Sequence, residues 1–180
     1  MNEYKFKVCI IGDGGVGKTT LTRRFLEGVF KTNWKMTIGV DFYLKKLVIS
    51  DQKVALQVWD FAGEEKFRFL LPGTLVGVNG TIFMYDITRY STFNNLDDWL
   101  EVFNDTNKEH GQVVSKILIG SKTDLSDNRV VSKDNAIKYA EKENFLNYFE
   151  CSSKSGDNVE EVFEYIARIM LEHATQLKVK

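Results

Sequence analysis

One short segment narrows the choice of fold more than anything else in this chain. Gly12-Asp13-Gly14-Gly15-Val16-Gly17-Lys18-Thr19 comes after the apolar run Val8-Cys9-Ile10-Ile11 and leads into residues 19–27, which read as a helix. The apolar run reads as a buried strand, so the segment is a strand-to-helix turn. It satisfies the pattern G-x-x-x-x-G-K-[ST] in full. Its glycines let the backbone fold so that several N–H groups point at one anion, and the helix after it adds the positive end of its dipole. Lys18 supplies a compact positive charge for the outer phosphates of a nucleotide. Thr19 offers a hydroxyl, a hard oxygen ligand suited to Mg²⁺. A glycine-rich turn arising by chance has no reason to sit between a strand and a helix.

The rest of the chain repeats this alternation. Residues 41–50 and 53–60 read as strands, and their short join, Ser50-Asp51-Gln52, predicts an antiparallel hairpin. Residues 81–85, 116–120 and 145–151 read as further strands. Between them, Ser91 is expected to cap a helix with Phe93, Leu96, Leu100 and Phe103 at helical spacing, and residues 132–142 form another. A last helix from about Asn158 carries Val159, Val162, Phe163, Ile166 and Ile169 on one face, with Asp157 and Glu160 spaced as in a capping box. Strands alternating with helices predict an α/β protein of the three-layer P-loop NTPase type. Its sheet is mostly parallel and six-stranded, with one antiparallel edge strand and helices on both faces. A length of 180 residues, a single proline (Pro72) and the lack of any linker-like stretch predict one domain over 1–180.

In open sheets of this kind ligands sit at the carboxyl ends of the strands, so the residues just beyond each strand carry the most information. Asp60 ends the hairpin and begins Asp60-Phe61-Ala62-Gly63; a carboxylate there can hold Mg²⁺ through water. Ser121-Lys122-Thr123-Asp124 succeeds a later strand. Asp124 can accept from guanine N1–H and the exocyclic amine together, whereas adenine offers an acceptor at that edge. The stem of Lys122 can lie along the base face. After the final strand, Cys151-Ser152-Ser153-Lys154 offers backbone donors for a base carbonyl, or is an ordinary loop.

On these motifs the chain resembles the Ras superfamily of small GTPases from about Lys5 to Met170, and within it the Rab branch. Ile38-Gly39-Val40-Asp41-Phe42, Trp59-Asp60-Phe61-Ala62-Gly63, Phe67-Arg68 and Tyr85-Asp86-Ile87-Thr88 carry the likeness. The resemblance implies a switch that binds GTP or GDP with Mg²⁺ and hydrolyses GTP. It implies nucleotide contacts from Gly12 through Thr20 and from Phe30, and a base pocket made by Ser121, Lys122, Asp124, Ser152, Ser153 and Lys154. Thr37 is implied to close on Mg²⁺ and the γ-phosphate, beside Thr19 and Asp60, and the Gly63 N–H to meet the same phosphate. Lys18, Thr37, Gly63 and position 64 form the implied catalytic set. Loops 31–40 and 60–73 are the implied switches for effector, exchange-factor and activating proteins.

Four departures qualify the likeness. Ser121 replaces an asparagine, so the usual bridge from base to phosphate loop is expected to be lost and affinity to fall. Phe61 replaces a threonine and is expected to add apolar bulk beside the second switch. Glu64 stands where a water-orienting glutamine is expected; an alternative reading is therefore a GTP-loaded interaction module with little turnover. Finally, the last cysteine is Cys151, Met1 is followed by Asn2, and the tail offers only Lys178 and Lys180. No lipid attachment motif results, so no direct membrane anchor is expected, only association through a partner or a further tail.

Composition excludes other classes. Twenty-four Lys and Arg against 25 Asp and Glu leave a formal charge of −1, without the basic excess of a general nucleic-acid binder. No apolar run approaches the roughly 18 residues of a membrane span. The start does not resemble a secretory signal. Cys9 and Cys151 read as buried thiols. A cytoplasmic monomer is expected.

Overall fold

The computed structural model describes residues 3–31, 36–111 and 114–179. Part of the expected first switch, residues 32–35, and the terminal Lys180 lie outside the described residues. Six strands, β1 (Glu3–Ile11), β2 (Val40–Ile49), β3 (Gln52–Phe61), β4 (Gly80–Asp86), β5 (Ser115–Ser121) and β6 (Tyr148–Cys151), form one sheet in the order β2-β3-β1-β4-β5-β6. Only the β2–β3 pair is antiparallel. The turn between them has Ser50 at φ 47° and Asp51 at φ 61°, the positive pair that matches the twist of a tight hairpin. β4 is buried along its whole length, as a central strand covered on both faces must be.

The pleat of β1 divides the core. Val8 and Ile10 face α1 (Lys18–Glu27) and α6 (Val159–Val179), where Phe25 stacks on Phe163 with ring centroids 4.0 Å apart. Cys9 and Ile11 face the opposite layer of α2 (Leu71–Leu75), α4 (Leu96–His110) and α5 (Lys133–Lys142), with Trp99, Leu100 and Phe103. The two layers and the sheet between them are the expected three-layer architecture. β1 lies between β3 and β4, so the glycine-rich turn after Ile11 opens where the strand order changes direction.

Three local expectations are corrected. Ser91 caps nothing: a short α3 (Tyr90–Asn94) begins after Arg89, and the chain bends at Asn95 before α4. There the Thr92 hydroxyl accepts from the Asp86 N–H at 3.0 Å and donates to the Arg89 carbonyl at 2.7 Å. The capping box at α6 does not form, because Asp157 Oδ2 accepts from the Ser155 hydroxyl at 2.6 Å. β6 starts at Tyr148 rather than at 145. Asn144, at φ 57°, ends α5 in the left-handed conformation, and the Phe145 N–H donates to the Ala140 carbonyl at 2.8 Å. This is a Schellman closure with its apolar residue packed inward.

Candidate functional site

The site is built on the turn between β1 and α1. Gly12 has φ 144°, and a Cβ there would stand 2.1 Å from the Met84 carbonyl oxygen, so only glycine fits. The Lys18 ammonium donates to the carbonyls of Gly12 and Asp13, each at 2.7 Å. Burial pulls Lys18 down to about 8, against the opposing charges of Asp60 and Asp13.

Three oxygens from separate elements meet beside it. The Thr19 hydroxyl donates to Asp60 Oδ2 at 2.5 Å and lies 2.7 Å from the Thr37 hydroxyl, which is 3.4 Å from the same carboxylate oxygen. Asp60 Oδ1 is buried and has no hydrogen-bond partner among the described residues. Burial raises the Asp60 carboxyl to about 6, although the Thr19 hydroxyl and Lys18 pull it down. Two hydroxyls and a carboxylate with an unused buried oxygen are a hard-oxygen donor set. They fit Mg²⁺, whose charge would favour the ionised form.

A cavity of about 510 Å³ opens in front of these groups. Of the residues expected at the site, Gly14 through Thr20, Phe30, Thr37, Gly63, Glu64, Ser121, Lys122, Asp124, Ser153 and Lys154 line it. Gly12, Asp13, Asp60 and Ser152 are not among its lining residues. Ser152 spends its N–H on the Asp157 carbonyl at 3.1 Å, and its hydroxyl donates to Asp124 Oδ1 at 2.6 Å. It therefore orients Asp124 instead of facing the cavity. Gly63 lies against the phosphate loop, where a Cβ would come within 2.3 Å of the Asp13 carbonyl carbon.

The structure shows where three of the departures stand. At Ser121 the half of the bridge that reaches the phosphate loop is present: its hydroxyl lies 2.8 Å from the Val16 carbonyl in that loop and 2.7 Å from the Tyr85 carbonyl. One proton serves two acceptors, so the tether is thinner than an amide would make it. Phe61 is fully buried with its ring edge-on to Trp99, and it also lines the cavity beside Gly63 and Glu64. Glu64 is paired with Lys66 at 2.6 Å.

Asp86 and Arg89 were not singled out as site residues by sequence reasoning. Asp86, 1% exposed, accepts from Lys122 Nζ at 2.7 Å, Arg89 Nε at 3.1 Å, and the Thr88 N–H and hydroxyl. Arg89 then reaches the Gly14 carbonyl at 3.0 Å. A buried carboxylate thus ties the loop after β5 to the phosphate loop. Its signal was a carboxylate directly after an apolar strand, the same placement as Asp60.

Fold and site together define a P-loop nucleotide-binding protein. The Ras family profile matches residues 7–172, and the chain belongs to that family. It is 39% identical over 175 residues to the Ras-related protein Rab-1 of Theileria parva, covering 97% of this chain and 78% of that one. It is 40% identical over 170 residues to Rab-13 of Canis lupus familiaris (94% and 81%), and 38% over 174 residues to Rab-30 of Homo sapiens (97% and 84%). The chain is a small GTPase of this group, which binds GTP and GDP with Mg²⁺. Among the described residues no helix is long and apolar enough to cross a membrane.

Proposed function

We propose that the chain, as one domain over 1–180, is a Rab-type regulatory switch in which slow GTP hydrolysis resets partner binding. The observation that carries this reading is the meeting of Thr37 with Thr19 and Asp60. Thr37 belongs to the first switch, whereas Thr19 and Asp60 belong to the rigid frame of α1 and β3. A group bound between them sets the position of the loop, and its loss frees the loop. Lys18 and the phosphate-loop N–H groups hold the outer phosphates. Thr19, Thr37 and Asp60 hold Mg²⁺, which when bound neutralises phosphate charge. Lys122 and Asp124 take the guanine, with Ser152 orienting the carboxylate.

The partner surface lies between and on the switches. Phe42, 52% exposed, meets the Trp59 ring edge-on at 5.5 Å, and Ile38 in the first switch and Phe69 in the second are 81% and 75% exposed. Exposed aromatic and aliphatic groups in such a patch are suited to a protein partner that senses the switch state. The protein acts as a monomer in this reading.

The second reading, a GTP-loaded module with little turnover, is favoured by Glu64, whose carboxylate is held by Lys66. Denaturing freshly purified protein and identifying the released nucleotide separates the two. Guanosine diphosphate supports the switch, and triphosphate supports the module. A protein that neither carries nor takes up guanine nucleotide refutes both.

A further inference from the structure

The phosphate loop carries a negative charge of its own. Asp13 stands between Gly12 and Gly14, in a loop whose N–H groups are suited to cradle a polyanion, so a carboxylate turned inward opposes binding. The structure turns it outward onto the start of α4. Trp99 Nε1–H donates to Asp13 Oδ1 at 2.8 Å, and Asn95 Nδ2–H donates to Oδ2 at 2.8 Å. Each oxygen is satisfied by a neutral donor, so both are held away from the cavity, and Asp13 is absent from its lining.

Trp99 is well placed to fix this geometry because its own position is over-determined. It is fully buried, its ring meets Phe61 at the end of β3 with centroids 6.0 Å apart, and the Arg68 guanidinium lies over it at 4.6 Å. Arg68, in the second switch, is itself anchored to Asp98 at 3.3 Å. One indole therefore touches the phosphate loop, the strand that ends in the metal site, and the second switch.

We infer that Trp99 is a positioning residue that holds the Asp13 carboxylate away from bound nucleotide and so slows nucleotide release. The inference rests on the proposed phosphate site. A buried acceptor deprived of its donor is left unsatisfied, and in this loop the freed carboxylate regains access to the phosphates. Phenylalanine keeps the ring and removes the N–H.

The test is the release rate of GDP carrying a fluorescent ribose label, in Mg²⁺, from intact protein. Trp99→Phe is expected to release it about fivefold faster or more, the loss expected of one such hydrogen bond. In an Asp13→Ala background the same substitution is expected to add nothing, because the carboxylate it restrains is gone. A role confined to core packing would instead accelerate release equally in both backgrounds, and that result overturns the inference. So does an unchanged rate in Trp99→Phe alone. If Trp99→Phe does not fold, Asn95→Ala removes the other donor without touching the core, and the same comparison in both backgrounds decides. Wild-type protein that retains no labelled GDP overturns the phosphate-site reading, and this inference with it.

Discussion

Glu64 brings a carboxylate to the edge of a cavity read as a triphosphate site, and Lys66 answers it at 2.6 Å. The lysine side chain is 66% exposed, so this pair is an exposed one of small energy and does not remove the charge as a barrier. A glutamine at the same place offers a donor and an acceptor to an attacking water without repelling phosphate. Glu64→Gln is therefore expected to raise the single-turnover rate of GTP hydrolysis on the order of tenfold, about 1.4 kcal/mol of barrier. An equal or slower rate would make Glu64 a working member of a variant mechanism. Asp86 yields a prediction of another kind. Burial alone would raise its carboxyl, but hydrogen bonds from Lys122 and Thr88 outweigh burial and hold it below the usual range. A carboxyl depressed in the folded state stabilises fully above its unfolded pKa of about 4 and loses that contribution as pH falls towards the folded value. Asp86→Asn is thus expected to cost about 2 kcal/mol at neutral pH, the scale of a hydrogen bond to a charged group. Denaturant titrations of both proteins should show the gap closing below pH 4. A gap that stays constant into acid would mean that the carboxylate charge contributes nothing.

At the scale of elements, α5 tests how far a single cap matters. The Ser132 hydroxyl accepts from the Asn135 N–H at 3.2 Å, so Ser132→Ala leaves an amide without its partner. The expected cost is about 1 kcal/mol, or roughly 2–4 °C in a thermal scan for a chain of this size. A change within error would mean that water replaces the cap. The same helix marks where sequence reasoning succeeds and where it stops. The helix over 132–142, β1 and the loop through Thr19 were legible because each signal is local: a helical stretch, an apolar run, a glycine pattern. Residues 145–147 were not. Their composition suits a strand, but Asn144 turns the chain left-handed and Phe145 belongs to the end of the helix. Ser91 and Asp157 matched capping patterns, yet other hydroxyls nearby in the fold set the geometry first. The candidate site divides the same way. Lys18, Thr19 and Asp124 sit in contiguous motifs, whereas the links from Asp86 to Lys122 and from Asp13 to Trp99 join a strand end to a loop and a loop to a helix far apart in sequence. No periodicity encodes such pairs; only the sheet order and the packing of α4 on it bring them together.

For the molecule as a whole, the site lies where elements from both core layers converge at the carboxyl edge of one sheet. Groups from the loop after β1, from α1, β3 and β5, and from the loop after β6 all face one cavity, so a bound nucleotide bridges contacts that the unfolded chain cannot make. A ligand that binds only the folded chain at a hundredfold excess over its Kd adds about 2.7 kcal/mol. For a protein of this length that corresponds to roughly 5–11 °C in Tm. GDP with Mg²⁺ is expected to raise the midpoint by at least that much over the same protein in EDTA, which removes the cation that we propose Thr19, Thr37 and Asp60 hold. ADP with Mg²⁺ keeps every phosphate contact but leaves the Asp124 carboxylate facing a base that cannot donate to it in the same way, and is expected to add little. Asp124→Asn should erase most of the difference between the two nucleotides while sparing the unliganded midpoint. An equal gain from ADP and GDP in the wild type would separate phosphate binding, which could stand, from the assignment of base choice to Asp124, which could not.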